Sequence, residues 1–218
     1  MQPSIAIIDY DAGNIRSVQK ALEECGASAH ITADADDIVN ADGVVFPGQG
    51  ACDSSMQSIR ERGLFEVIRR SIDSGKPFLG VCLGLQLLLE SSEEGDEPCL
   101  GILKGSTKRL PPEKTDQVGL KIPHMGWNSV SLSVQHPVFE GIPDESYFYF
   151  VHSYYADPED KDMVAGVTSY GIDFCSAVAW DNVAAVQFHP EKSGSVGLRL
   201  YKNFLQLVEE NGRVAAWR

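Results

Sequence analysis

Across residues 5–90, short apolar runs take turns with amphipathic helical patterns, and few architectures satisfy that alternation. Ile5–Ile8 is apolar throughout and ends at Asp9 and Tyr10, with Gly13-Asn14 behind it as a turn. From Ile15 to Cys25 the apolar positions Val18, Ala21, Leu22 and Cys25 recur at three- and four-residue spacing, one face of a helix that Gly26 suits as a C-terminal cap. Ala29–Ile31 and Val44–Phe46 read as further strands, and Ile59–Ile72 as a second long helix stopped by Ser74-Gly75. Phe78–Val81 is then a strand followed at once by an apolar helix, Leu83–Glu90. Strands without a polar face need cover on both sides, so this order implies βαβ units and a parallel sheet.

The second half has a different texture. From Gly101 to Trp180 the runs are short, rich in aromatic and β-branched residues, and separated by Pro, Gly and Asp turns. Tyr147–Val151, Met163–Val167 and Cys175–Trp180 suit antiparallel or mixed strands, Val183–Phe188 a last strand and Ser195–Glu209 a closing helix. No pattern marks Asn211–Arg218, which is expected to fray. With no repeat, charge block or Gly/Ser-rich linker, the chain is expected to form one α/β domain over residues 1–218. Its sheet should be open, mostly parallel, twisted and flanked by helices, with antiparallel or mixed strands added in the second half.

Charge removes several functions. Lys and Arg number 18 against 31 Asp and Glu, a net charge of −13, and no basic cluster could neutralise phosphates or an anionic membrane surface. The longest apolar stretch, Phe78–Leu89, contains Gln86 and is too short to span a bilayer. Met-Gln-Pro-Ser-Ile lacks the basic start of a secretory signal, so a cytoplasmic protein is expected. The five cysteines include no CxxC pair and do not combine with histidine at zinc-ligand spacing, so neither a disulfide framework nor a metal is expected.

Three segments carry chemistry. Gly80-Val-Cys82-Leu-Gly84 has the G-x-nucleophile-x-G form of a strained strand-to-helix elbow. A cysteine there would meet the positive end of the following helix, with the Leu83 N–H beside it to receive an oxyanion. The same pentapeptide equally suits a buried, glycine-flanked cysteine. His189-Pro-Glu191 follows an apolar strand, and residues two apart in extended chain share a side, so the carboxylate can orient the imidazole as a base. In isolation that triplet could simply cap a strand. Pro47-Gly48-Gln49-Gly50 is an ordinary turn or a loop aiming a backbone N–H at Cys82; Asp53 stands where a dinucleotide fingerprint needs its third glycine.

Taken together and in this order, Pro-Gly-x-Gly, Gly-x-Cys-x-Gly-x-Gln and His-Pro-Glu resemble the class I, triad-type glutamine amidotransferases over essentially the whole chain. Ile8-Asp9-Tyr10 with Gly13-Asn14, Pro123–Asn128 and Tyr149–Tyr154 narrow the resemblance to the branch that supplies ammonia for imidazole glycerol phosphate synthesis in histidine biosynthesis. The resemblance implies a flavodoxin-like fold, a triad of Cys82, His189 and Glu191, and oxyanion N–H groups from Gln49 and Leu83. It implies glutamine binding at Gly48, Gly50, Gln86, Glu94, His152, Ser153 and Tyr154. No cofactor or metal is implied. The implied partner is a separate (β/α)₈ cyclase subunit in a heterodimer, docking on Asn14, Pro123, Met125, Trp127 and Asn128. The middle residue of Pro-Gly-x-Gly is often apolar in the family, whereas Gln49 stands here.

Each of these positions has a plainer role to set beside it. Asp9, Tyr10 and Asn14 could close the first turn, and Met125 and Trp127 could be packed loop residues. Glutaminases of the pyridoxal phosphate or anthranilate pathways are alternatives; the former typically have Gly-Gly-Glu-Ser where Pro47-Gly-Gln-Gly50 stands. A dienelactone-type cysteine hydrolase is disfavoured by an acid that follows its histidine. An intact Cys–His–Glu set disfavours a non-catalytic interaction module.

Overall fold

The structure, a computed structural model, describes residues 2–133 and 136–216. Ser4–Ile8 (β1), Ile15–Glu24 (α1), Ser28–Thr32 (β2), Ala35–Asn40 (α2) and Gly43–Gly48 (β3) open the chain. Cys52–Glu61 (α3), Leu64–Asp73 (α4), Phe78–Cys82 (β4) and Leu83–Gln86 (α5) follow. Next come Ser91–Ser92 (β5), Gly105–Arg109 (β6), Pro112–Gln117 (α6) and His124–Leu132 (β7). Ser146–His152 (β8), Tyr154–Pro158 (β9), Val164–Ser169 (β10), Asp173–Trp180 (β11), Val183–Val186 (β12) and Gly194–Ala216 (α7) complete the order.

The main path of the sheet is β2-β1-β3-β4-β12-β11-β10-β7-β8. Its first five strands are mutually parallel, and each later neighbour along the path joins antiparallel. A side branch, β9 with β6 and β5, attaches at β11. Successive β1 side chains alternate faces as a strand requires. Ile5 and Ile7 pack in one core with Val18 and Leu22 of α1 and Phe204 and Leu205 of α7. Ala6 and Ile8 pack in the other with Ile38, Met56, Ile59, Leu64 and Ile68 of α2, α3 and α4. Each large aliphatic side chain of this kind contributes roughly 1.5–3 kcal/mol by leaving water.

Several expectations need correction. The helix read over Ile59–Ile72 is two helices, because Gly63 takes a left-handed φ of 69° between α3 and α4. Leu83–Glu90 stops being helical after Gln86. The carbonyls of Leu87, Leu88, Leu89 and Glu90 are taken by the N–H groups of residues 99–103, so the ladder cannot propagate. Pro123–Asn128, read as a loop, is mostly strand: β7 begins at His124 and pairs with β8 from His124↔His152 to Val130↔Ser146. The α7 helix runs past Glu209 to Ala216 instead of fraying at Asn211, while Trp217 and Arg218 lie outside the described residues. α2 has no apolar repeat to announce it; Asp34 caps it by accepting from the N–H groups of Asp36 and Asp37. Among the described residues no helix is long and apolar enough to cross a membrane, and no cluster of His, Cys, Asp and Glu could hold a metal.

Candidate active site

Cys82 ends β4 with φ 55° and ψ −107°, a strained backbone that lifts its side chain out of the sheet. Two close approaches make this elbow depend on glycine. A Cβ on Gly84 would strike the Phe46 carbonyl of β3, and one on Gly80 would lie 2.8 Å from Ala185 Cβ of β12. β3 and β12 flank β4 on either side, so all three strand ends meet at one point. Because α5 is a single turn, its dipole is weaker than a long helix would give, and activation of the thiol falls mainly to its neighbours.

The principal neighbour is His189, three residues past the end of the adjoining strand β12. Its Nδ1–H donates to Glu191 Oε1 at 2.8 Å, and both side chains are almost completely buried, 2% and 0% exposed. The other nitrogen, Nε2, is buried without a hydrogen-bond partner. Burial pulls the imidazole pKa down, but the Cys82 thiol and the Glu191 carboxylate together overcome that and raise it to about 9.

Donors from distant elements surround Glu191. Asn14 Nδ2 donates to Oε1 at 2.5 Å, and the Tyr201 hydroxyl of α7 donates to Oε2 at 3.4 Å. Asn14 sits at the N-terminal cap of α1 with φ 68°, yet its side chain caps nothing there. His189 itself is held by its N–H on the Tyr149 carbonyl, 2.9 Å, and by the Ser193 hydroxyl on its carbonyl, 2.7 Å.

Beside Cys82 lies a cleft of about 360 Å³. Gln49, Gly50, Cys82, Leu83, Gln86, Glu94, Pro123, Val151, His152, Ser153 and Tyr154 line it. Gly48 does not line it but pairs in register with Cys82 on β3, and the Tyr10 hydroxyl pins the preceding Pro47 carbonyl at 2.8 Å. A larger cavity of about 600 Å³ near His136 and Glu140 contains no cysteine, so size does not select the chemistry.

The cleft residues are fixed by bonds that spacing could not foretell. Gln86 Nε2 donates to Tyr154 O at 2.8 Å and to Gln187 Oε1 at 3.0 Å, which leaves its carbonyl oxygen for a ligand. Gln187, fully buried, points its own Nε2 at Cys82 Sγ, 3.6 Å away. Glu94 Oε2 accepts from the Cys52 N–H at 2.8 Å, tying the carboxylate to the start of α3.

In the cleft wall, His152 Nδ1 faces the Tyr154 carbonyl at 2.8 Å, so it must carry the proton. Its Nε2 therefore accepts from His124 Nδ1 at 2.9 Å, and His124 Nε2 accepts from Asn128 Nδ2 at 3.3 Å. Burial keeps both rings neutral, lowering His124 to about 4 and His152 to about 3.

Of the expected docking residues, Met125 and Trp127 are 62% and 55% exposed on β7, with Tyr147 of β8, 61% exposed, diagonal to Trp127. Pro123 is exposed at the cleft rim. Asn14 and Asn128 are half-buried and spend their amides on internal partners, Glu191 for the first and His124 and the Ser169 carbonyl for the second. Nothing in the sequence pattern marks Tyr201 as part of this centre, and although the family resemblance implies His152, nothing there pairs its side chain with that of His124. Gln187, also unmarked, is the findable one, since it stands two residues before His189 and so on the same side of extended chain.

A strained cysteine at a parallel strand end, a buried His–Glu pair just past the end of the next strand and a polar cleft beside them form a centre with the geometry that cysteine-based acyl transfer requires. The family model for class-I glutamine amidotransferases matches residues 6–207, and the chain belongs to that family. It is 47% identical over 205 residues to the imidazole glycerol phosphate synthase subunit HisH of Dehalococcoides mccartyi strain CBDB1, covering 94% of this chain and 97% of that protein. The protein of the same name from Thiobacillus denitrificans is 50% identical over 210 residues, covering 94% and 92%. The fold is shared with PurLQS of Thermotoga maritima, TM-score 0.73 at 19% identity over 94% and 99% of the two chains. It is shared also with the glutaminase domain of Trypanosoma brucei CTPS, TM-score 0.70 at 17% identity over 96% and 94%.

Proposed function

We propose that the chain, acting as one glutaminase domain over residues 1–218, hydrolyses L-glutamine to glutamate and ammonia through a thioester on Cys82. His189 takes the thiol proton through Nε2, while Glu191 stabilises the imidazolium through Nδ1–H. The Cys82 sulfur attacks the amide carbon, and the backbone N–H groups of Gln49 and Leu83 stabilise the resulting oxyanion. His189 then protonates the departing ammonia, and water cleaves the thioester. Glu94 and the Gln86 carbonyl oxygen supply acceptors for the amino end of glutamine, with backbone from His152, Ser153 and Tyr154 completing the wall.

The observation that carries this reading is the buried, otherwise unpartnered Nε2 of His189 beside Cys82, with Nδ1 committed to Glu191. In keeping with the names of its HisH relatives, the ammonia is delivered to a separate cyclase subunit of (β/α)₈ fold that makes imidazole glycerol phosphate in the cytoplasm. Met125, Trp127 and Pro123 form the docking rim of that heterodimer, and Asn14 and Asn128 support it from within.

An electrophilic glutamine analogue tests the chemistry. It should label Cys82 and be excluded by glutamine, and Cys82→Ala should abolish glutamine hydrolysis while leaving ammonia-driven synthesis in the complex intact. Normal hydrolysis by Cys82→Ala would remove the thiol from the mechanism.

A further inference from the structure

The proposed reaction leaves a second sulfur centre unused. Cys52 is the first residue of α3, Cys99 lies in the segment leading from β5 to β6, and their sulfurs are 3.3 Å apart, with both residues buried. Cys25 and Cys175, by contrast, direct their thiols at backbone carbonyls. The Cys99 segment also carries Glu94, and it is laced to both ends of α3 by a set of polar ties. Glu94 accepts the Cys52 N–H, and Asp53 accepts the N–H groups of Asp96 at 3.2 Å and Glu97 at 3.1 Å. Arg60 donates to Glu97 Oε2 at 2.6 Å and to the Pro98 carbonyl at 2.5 Å.

We propose that Cys52 and Cys99 are a modification site, a dithiol that a hydroperoxide oxidises to a disulfide, fastening the Glu94 segment covalently to α3. Closing the sulfurs from 3.3 Å to about 2.05 Å needs a shift of little more than an ångström, because the polar ties already hold the two backbones together. The pair is also polarised. The hydrogen bond the two sulfurs share lowers the Cys52 pKa and, with burial, raises that of Cys99. Cys52 also sits at the positive N-terminal end of the ten-residue α3, which favours its thiolate, so it is the attacking sulfur.

In the first step the Cys52 thiolate forms an S–O bond as the peroxide O–O bond breaks, and the departing hydroxide takes up a proton as water. In the second, the Cys99 sulfur attacks the sulfenic sulfur, forming S–S as S–O breaks and giving a second water once the Cys99 proton is transferred. Two thiols and one hydrogen peroxide thus give one disulfide and two waters, the sulfurs supplying two electrons. That Glu94 faces glutamine rests on the functional reading above, whereas the dithiol chemistry is measured without substrate, so the two ideas fail separately.

The test uses the full chain with Cys82→Ser, which removes the proposed nucleophile as a competing target. After treatment with one equivalent of hydrogen peroxide, non-reducing peptide mapping should show the Cys52 and Cys99 peptides joined, lighter by two hydrogens and separated again by dithiothreitol. Adding Cys99→Ser should abolish the cross-link, and amide exchange across residues 93–101 should slow about tenfold on oxidation in the parent alone. If both thiols remain free for alkylation after peroxide, or go on to sulfinic acid unjoined, the proposal is wrong. A cross-link that leaves exchange across 93–101 unchanged overturns the fastening.

Discussion

Asn14 and Glu191 are 177 positions apart in the chain, yet Asn14 Nδ2 donates at 2.5 Å to the same carboxylate oxygen that receives His189 Nδ1–H. The first βα turn therefore reaches the proposed active site and holds the carboxylate oxygen that Tyr201 of α7 does not. A fully buried carboxylate needs such donors, since each missing hydrogen bond to a charged group costs about 1.5–3 kcal/mol. Asn14→Ala should accordingly lower the turnover number for glutamine by about tenfold or more, the factor that such an energy implies if it falls on the transition state. Asn14→Asp should do worse by placing a second carboxylate against Glu191. Tyr201→Phe, which removes a longer 3.4 Å contact, should cost less than either. Steady-state kinetics with the partner subunit present would rank the three, and equal rates for Asn14→Ala and wild type would take Asn14 out of the orienting network.

What the sequence discloses and what it withholds follows the same line. Cys82 and His189 are legible because each sits inside a short motif whose local geometry, an elbow or a strand end, is encoded by its immediate neighbours. Asn14 is legible only as a turn residue or a family feature. Its actual partner is chosen by packing between the first and last elements of the chain. The single-turn α5 is hidden for a related reason: Leu87–Leu89 have helical composition, but residues 99–103 capture the carbonyls that a helix would need. The β7 strand is hidden because its burial does not alternate cleanly, with Met125 and Trp127 exposed on one side and Gly126, Asn128 and Ser129 only half-covered.

Stability should fall at both ends of the pH scale, from different histidines. His189 is raised from 6.5 to about 9, so its contribution is complete below pH 6.5 and is lost as pH rises through 9. His124 and His152 are lowered from 6.5 to about 4 and 3, so theirs is complete above pH 6.5 and is lost as pH falls towards those values. The shifts correspond to roughly 3–5 kcal/mol each, and the bonded His124–His152 pair will not add independently. Urea midpoints measured from pH 3 to 10 should show both losses. Cys82→Ala should flatten the alkaline side by removing a group that raises His189. A midpoint constant from pH 6.5 to 4 would mean that the two histidines are not held neutral.

Gly84→Ala should destabilise the fold far more than an ordinary glycine replacement. The added methyl would meet the Phe46 carbonyl, backbone of the neighbouring strand rather than a side chain that can swing away. Either β3 and β4 part at the elbow or Cys82 moves, and a loss of about 3 kcal/mol or more is expected from such overpacking. Gly212→Ala, where nothing lies within 4 Å of the added carbon, is the matched control. A comparable urea midpoint for the two variants would show that the elbow yields more easily than its contacts imply.

Trp127 and Met125 separate docking from packing. Both are more than half exposed on β7, and Trp127 meets Tyr149 edge-on, ring centroids 6.3 Å apart, on the paired strand β8. Removing a core tryptophan typically costs about 3–5 kcal/mol through the cavity it leaves, but a side chain standing in solvent leaves no cavity. Trp127→Ala should therefore fold with nearly the wild-type melting temperature. Large apolar side chains left in water regain their transfer energy when a partner's pocket covers them, and such residues dominate interface energetics. Their strand carries His124 between Pro123 and Met125, and His124 bonds to His152 in the wall of the proposed glutamine site. A partner seated on Met125 and Trp127 would thus press on a strand already linked to substrate binding. Trp127→Ala should weaken binding to the proposed cyclase partner by at least tenfold in titration calorimetry, about 1.4 kcal/mol, and glutamine hydrolysis by this variant should respond less to that partner than wild type does. Unchanged partner affinity, or a large drop in the melting temperature of the isolated protein, would show that this face serves the fold and not the complex.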